Sequence, residues 1–249
     1  MTIDIITIFP EMVSFYFKQS LLANAQEAGL LKLQAHNLRD FTVDKHRVVD
    51  PVKCRKAAIS PKAKLFNRVD DKPFGGGRGM VLKLEPLYKA VSNLSKFKVQ
   101  SSKLKVQRKV ILLSPRGKKF NQKMATRWSK LDQLILICGR YEGVDERVAK
   151  HLVDGEVSIG DYVLMGGELP ALIIAEAVAR LLPGVVGHSE ALIGERITKS
   201  KGFLEYPQYT RPEVFITREG KKLKVPTVLL SGDHKKIEEW RQKNSKIIE

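Results

Sequence analysis

An α/β architecture built on a parallel sheet is the fold class this sequence predicts. Three observations carry it. The chain opens on a strand–helix–strand pattern: an apolar run at residues 3–9 closing at Pro10, helical spacing over 11–28 (Met12, Phe15, Tyr16, Leu21, Leu22, Ala25) stopping at Gly29, and a short alternating strand at 31–35. Apolar runs at 110–113 and 134–138 flank a helix pattern at 120–131. Such unbroken runs suit strands covered by helices on both faces. Finally, glycine-bearing loops follow two of the strand ends, at Gly139 and around Gly166-Gly167. Loops of this kind bring backbone N–H and C=O groups to a ligand without side-chain obstruction.

The stretch 138–171, CGRYEGVDERVAKHLVDGEVSIGDYVLMGGELPA, holds both loops. Tight turns alone do not require the Arg140, Tyr141, Glu142, Asp161 and Tyr162 that crowd around these glycines. A ligand site formed by the two loops is therefore expected.

Lys and Arg number 44 against 27 Asp and Glu, a net charge of +17 in 249 residues. That excess predicts a polyanionic partner, nucleic acid before anionic membrane, because no basic amphipathic helix with bulky apolar residues opposite is evident. No apolar run reaches the length of a membrane span. The opening MTIDIITIFP has an acid and no basic leader region, so it reads as a strand and not as a secretory signal. Cys54 lies in a basic stretch and Cys138 ends a buried strand. Their contexts argue against a disulfide framework and for a cytoplasmic protein.

Along the chain, residues 37–50 turn polar and read as a surface loop. Residues 51–70 read as an inserted, basic, solvent-exposed excursion between near-repeated flanks, Arg47-Val48-Val49-Asp50 and Arg68-Val69-Asp70-Asp71. The run Gly75-Gly76-Gly77-Arg78-Gly79-Met80 lacks the Lys-Ser/Thr of a phosphate loop. A helix is expected at 85–94, a basic loop at 95–109, and a strand at 110–113 ending in Ser114-Pro115-Arg116-Gly117. An apolar helix at 169–182 closes at Pro183-Gly184. The domain reading is 1–186 as the main domain, 187–202 as a polar linker, and 203–249 as a second unit. In that unit a strand-like segment at 224–230 precedes a terminal helix capped by the Ser231-Gly232-Asp233-His234 turn.

Taken together, these segments resemble the bacterial tRNA (guanine-N1)-methyltransferases, the TrmD family. The matching residues are Phe9-Pro10-Glu11-Met12, Arg39-Asp40-Phe41-Thr42, 75–80, Leu113-Ser114-Pro115, 138–147, 158–170, Arg180 with Pro183-Gly184, 206–213 and 229–234. The resemblance implies a parallel-sheet SPOUT fold with a C-terminal trefoil knot, followed by a small, mostly helical C-terminal domain that grips tRNA. It also implies a homodimer whose active site is shared between subunits. The implied reaction moves a methyl group from S-adenosylmethionine to guanine N1 at position 37, beside the anticodon.

The same resemblance places the cofactor against Leu113, Ser114 and Pro115, then Gly139, Tyr141, Glu142 and Gly143. It adds Ser158, Ile159, Gly160, Asp161, Tyr162, Val163 and Leu164, and finally Gly166, Gly167 and Pro170. Ile159, Tyr162 and Leu164 can frame adenine, and a carboxylate such as Glu142 favours a cationic sulfonium. Arg180 matches the family's donor to guanine O6. The family's base is an aspartate in the linker, but no Asp occurs between Asp161 and Asp233, and the matching position falls on Glu195, followed by Arg196. The resemblance also raises magnesium, for which no all-oxygen ligand cluster is visible. Two alternatives stay open at this level: an RNA-binding relic that keeps the cofactor pocket without turnover, and a nucleotide hydrolase using 75–79.

Overall fold

The apolar run that opens the chain forms β1 (Thr2–Thr7), buried along its whole length. The computed structural model describes residues 1–42, 47–49, 65–96, 106–186, 196–197 and 203–248. It falls into two compact units, residues 1–187 and 188–249.

In the first unit, the helical spacing after β1 yields two helices, not one: α1 (Pro10–Phe17) and α2 (Ser20–Glu27). The break lies at Lys18 and Gln19, and Ser20 takes a positive φ of 48°. The break changes which residues point inward. Val13, Phe17, Leu22 and Ala25 are buried, whereas Met12, Phe15 and Leu21 face outward.

β2 (Lys32–Asn37) follows, and then a 3-10 turn at Leu38–Phe41. Leu38 and Arg39 are buried there, so the polar loop expected from residue 37 begins inside the fold.

β3 (Arg47–Val49) pairs antiparallel with β4 (Leu65–Asn67). β5 (Asp70–Asp71) pairs with β6 (Val81–Leu82), and Val69 is fully buried. Residues 65–70, part of the solvent-exposed excursion expected over 51–70, instead hold β4, the buried Val69 and the start of β5. Residues 65–71 are built into the domain, and only 50–64 lie outside the described residues in that stretch.

α3 (Leu84–Leu94) leads toward β7 (Arg108–Lys119). β7 continues past the expected stop at residue 113. Leu113 and Lys118 both pair with Val157, so residues 114–117 bulge out while the strand resumes. α4 (Gln122–Trp128) is capped by the Asn121 side chain, which accepts from the Met124 amide at 3.0 Å. β8 (Gln133–Cys138), α5 (Glu146–His151), β9 (Gly155–Ser158) and α6 (Glu168–Ala179) complete the unit.

The main sheet has five strands in the order β2-β1-β8-β7-β9, all parallel. Alternate side chains of each strand enter different cores. Leu134, Leu136 and Cys138 pack with residues of α1, α2, α4 and α6; Ile135 and Ile137 pack with residues of α3 and α5. That is why the strands read as continuous apolar runs: each side chain has a helix layer to meet. Asp4 is buried in β1 and is accommodated by hydrogen bonds. His36 Nε2 and Gln133 Nε2 each lie 2.7 Å from its carboxylate oxygens.

The second unit holds β10 (Arg196–Ile197), β11 (Phe203–Glu205), β12 (Val214–Ile216) and β13 (Lys222–Lys224). Two helices, α7 (Thr227–Leu230) and α8 (His234–Asn244), and β14 (Lys246–Ile248) follow. β10, β11 and β14 form one small sheet, and β12 pairs with β13. The unit therefore carries short strands as well as helices. Arg196 and Ile197, read as linker, belong to its sheet. Residues 227–230 are helical and not extended, because Pro226 ends the strand and stands at the helix N-cap. Asp233 caps α8 as expected, accepting from the amides of Lys235 and Lys236 at 3.1 and 3.2 Å.

Candidate active site

Parallel strands all present their carboxyl ends at one edge of a sheet, and ligands of α/β proteins gather there. At that edge the ends of β7, β8 and β9 enclose a cavity of about 490 Å³. Three loops form its wall, and each has a local cause.

The bulge of β7 supplies Ser114, Pro115 and Arg116. Gly117 lets β9 close over it, since a Cβ there would sit 2.3 Å from the Val157 nitrogen. Arg116 reaches across the rim, donating to Glu146 at 2.9 Å and Glu156 at 3.4 Å.

The loop after β8 supplies Gly139, Tyr141, Glu142 and Gly143. Tyr141 has a φ of 59°, in the left-handed region that side chains other than glycine's seldom occupy. The glycine-rich run holds that loop in place. The Glu142 amide donates to the Met80 carbonyl at 3.1 Å, Leu82 to Gly143 at 3.0 Å, and Asp145 to Leu82 at 2.9 Å. A Cβ on Gly79 would meet the Glu142 side chain at 2.5 Å. Residues 75–80 are thus a ledge beside the cavity and not a phosphate loop. Burial and the neighbouring Asp70 carboxylate push the Tyr141 phenol above its ordinary pKa, so it stays neutral well into alkaline solution.

The third loop, after β9, supplies Ser158, Ile159, Tyr162, Val163, Leu164, Gly166 and Gly167, with Pro170 from α6. Its amide at Gly167 donates to the Gly139 carbonyl at 2.9 Å, which brings the two glycine loops together. Gly160 and Asp161 belong to the same loop but do not line the cavity, and Asp161 is ion-paired with Lys119.

The cavity's charged groups are unevenly committed. Arg116 is shared between Glu146 and Glu156, and Arg140 is bound to Glu168 at 2.9 Å. Glu142 has no ion-pair partner among the described residues. Arg116, Glu146 and Glu156 are site residues that the sequence reading does not reach. The charges around the glycines were the available signal, but only the β7 bulge shows which of them reach the rim.

Arg180 is not at the cavity. It caps the far end of α6, and the 12 residues of that helix span roughly 18 Å at 1.5 Å per residue. Glu195 lies outside the described residues. Among the described residues, no group of three or more His, Cys, Asp or Glu side chains is placed to hold a metal ion, and no helix is long and apolar enough to cross a membrane.

Cys138 borders this site from beneath. It is fully buried, and burial drives its thiol well above the ordinary range. In native protein at pH 8 it is therefore expected to resist iodoacetamide and to be modified only after denaturation. Peptide mass spectrometry checks this, and rapid native labelling of Cys138 would contradict the packing described here.

A three-layer α/β protein with a glycine-walled cavity at the carboxyl edge of its parallel strands is the class that the fold and site define. A family model described as tRNA (Guanine-1)-methyltransferase TrmD matches residues 1–55 and 61–247. The chain belongs to that family. A Dictyoglomus turgidum protein named tRNA (guanine-N(1)-)-methyltransferase is 50% identical over 243 residues, covering 98% of this chain and 84% of its own. Proteins of the same name from Carboxydothermus hydrogenoformans and Bacillus subtilis are 46% and 45% identical over 245 residues, covering 83% and 87% of their lengths. Within the stretch 51–70, the family match leaves out only residues 56–60, so most of what reads as an insertion is shared with the family.

Proposed function

We infer that this protein transfers a methyl group from S-adenosylmethionine to N1 of guanosine at position 37 of tRNA. The observation that carries the reading is the cavity at the ends of β7, β8 and β9, with a Glu142 that has no ion-pair partner among the described residues, in a chain of this family. The residues present suit the donor. Gly139, Gly143 and Gly166-Gly167 line the cavity with no side chain to obstruct it, Ile159, Tyr162 and Leu164 offer an apolar edge for a purine, and Glu142 offers a carboxylate without an ion-pair partner among the described residues. When bound, the donor supplies an electrophilic methyl group on a cationic sulfur.

Guanine N1 carries a proton and is a weak nucleophile until it leaves. In this reading the Glu195 carboxylate takes that proton, and the N1 electron pair forms the new bond to the methyl carbon. The bond broken would be the donor's methyl–sulfur bond, whose electron pair would leave with the sulfur. Arg180 donates to O6, where negative charge develops as the proton departs. Because Arg180 is remote from its own chain's cavity, both residues are proposed to act at a site completed by a second subunit. An exposed apolar strip on α1 and α6 supports a homodimer. It contains Met12, Phe15, Leu169 and Ile173, and Phe15 is 72% exposed. The order β8-β7-β9, with α6 returning to β8 and β1, supports a trefoil knot around the cavity.

Nucleoside mass spectrometry of tRNA incubated with the protein and donor tests the function: N1-methylguanosine is expected at position 37. Donor binding without any transfer would return the reading of a cofactor-binding relic.

For tRNA, the exposed Lys235 and Lys243 of α8 are proposed phosphate contacts. Arg241 is held over the Tyr206 ring, 4.9 Å from its centroid, and Lys236 is paired with Asp233 at 3.1 Å, so both are less available. Binding is expected to weaken steeply with salt. Each lost contact should flatten the slope of log K against log salt by about 0.7–0.9. Titrations of Lys235→Ala and Lys243→Ala across salt concentrations measure this, and a flat dependence in the unsubstituted protein would exclude binding led by the RNA backbone.

A further inference from the structure

Neither the donor contacts nor the proton transfer uses the most deeply buried ionic group at this edge of the sheet. Glu168, in the first turn of α6, is 1% exposed. Both of its carboxylate oxygens are satisfied. Thr7 Oγ1 donates to one at 2.7 Å, and Arg140 Nε donates to the other at 2.9 Å. Thr7 ends β1, Arg140 belongs to the loop after β8, and Glu168 directly follows the loop after β9.

The same guanidinium makes a second connection. Its Nη1 donates to the Met165 carbonyl at 3.2 Å, and the group lies over the Phe9 ring, 4.8 Å from the centroid. One planar cation thus ties the two glycine loops to each other and to the end of β1. A lysine ammonium has its three donors on a single nitrogen and lacks the two separated nitrogens from which Glu168 and Met165 are reached here. The glycines next to the pair fit this arrangement. A Cβ on Gly166 would lie 2.2 Å from Arg140 Nε and 2.6 Å from a Glu168 oxygen. Gly166 is therefore required by the ion pair itself, whatever the cavity holds.

A buried ion pair adds little net stability over apolar groups of the same volume, because desolvation offsets much of the attraction. What it does add is one defined geometry. Here that geometry is the spacing of the two loops that wall the cavity.

We propose that Thr7, Arg140 and Glu168 are positioning residues for the methyl donor: they lock the two glycine loops at the separation that binds it. Thr7 and Glu168 do not line the cavity, and the Nε and Nη1 donors of Arg140 are turned inward to Glu168 and Met165. The inference rests on the cavity being the donor site.

Calorimetry with S-adenosylmethionine on the unsubstituted protein comes first. If the protein does not bind the donor, the functional reading itself fails. Given binding, Glu168→Gln and Arg140→Lys are each expected to raise the donor Kd roughly ten- to a hundredfold, the scale on which supporting groups act on a bound ligand. In Glu168→Gln, whose side chain does not line the cavity, KM for tRNA should stay within about twofold, and the single-turnover rate at saturating donor within about threefold, because no reacting atom is touched. Thr7→Val is the milder variant should either of the others fail to fold. It should weaken donor binding, and Thr7→Ser, which restores the hydroxyl, should recover it. Unchanged donor affinity in folded Glu168→Gln and Thr7→Val would overturn the proposal. So would an equal loss in donor affinity, tRNA KM and rate, which is the signature of general destabilisation.

Discussion

Glu195→Gln is expected to lower the single-turnover rate of methyl transfer by about 10²- to 10⁴-fold, the usual contribution of a positioned acid–base group. Donor affinity should be unchanged, since the cavity residues are untouched. Glutamine keeps the size and hydrogen-bonding reach of the side chain but cannot accept the N1 proton as a carboxylate does. A carboxylate must be ionised to act as a base, so at saturating substrate the rate should fall as the solution is acidified. Near-normal single-turnover rates for Glu195→Gln would sink this assignment and turn attention to Glu190. A companion experiment mixes Arg180→Ala subunits with Glu195→Gln subunits. If the two groups act from different chains, the mixed dimer keeps one intact site and regains activity. No recovery where mixed dimers demonstrably form would contradict the two groups acting from different chains.

Gly167→Val should weaken donor binding at least about a hundredfold, the loss that a displacement near 1 Å can cause in a preorganised site. The reason differs from simple filling of the cavity. A Cβ at Gly167 would stand 2.7 Å from the Cys138 Cα and 3.0 Å from the Gly139 nitrogen. Backbone cannot yield as a flexible side chain can, so the third loop must lift away from the second. That movement breaks the hydrogen bond from the Gly167 amide to the Gly139 carbonyl. Gly155→Ala is the matched control, because it has no positive φ and nothing within 4 Å of its Cβ position. Calorimetry on both, with circular dichroism to confirm folding, is the measurement. Unchanged affinity in folded Gly167→Val would place the donor elsewhere.

The legible part of this protein is the part governed by local chemistry. β1, β2, β8 and the helices after them follow from apolar periodicity, and the caps at Asn121 and Asp233 follow from residue type. Glycines at 139, 143, 166 and 167 mark the cavity wall because only backbone without side chains can line it so closely. Where local signals misled, a distant contact was responsible. The periodicity of 11–28 gives no sign of the break at Lys18 and Gln19. β7 runs through Pro115 because β9 pairs with it on both sides of the bulge. Residues 65–71 look like an open excursion until β3 and β6 are seen to pair with them.

By itself, the sequence determined the parallel α/β class, the basic charge that points to nucleic acid, and the glycine loops that belong to the site. All of these are carried by residue type and short spacing. Tertiary structure alone decided that the glycine-rich run at 75–80 braces Glu142 and that Arg116 bridges the cavity rim. It also decided that Arg140 and Glu168 join loops 28 residues apart, and that Arg180 stands a helix length from its own cavity. Each of these facts depends on where elements far apart in the chain meet. Sheet order and helix packing set those meetings, and residue spacing along the chain does not encode them in any locally readable form.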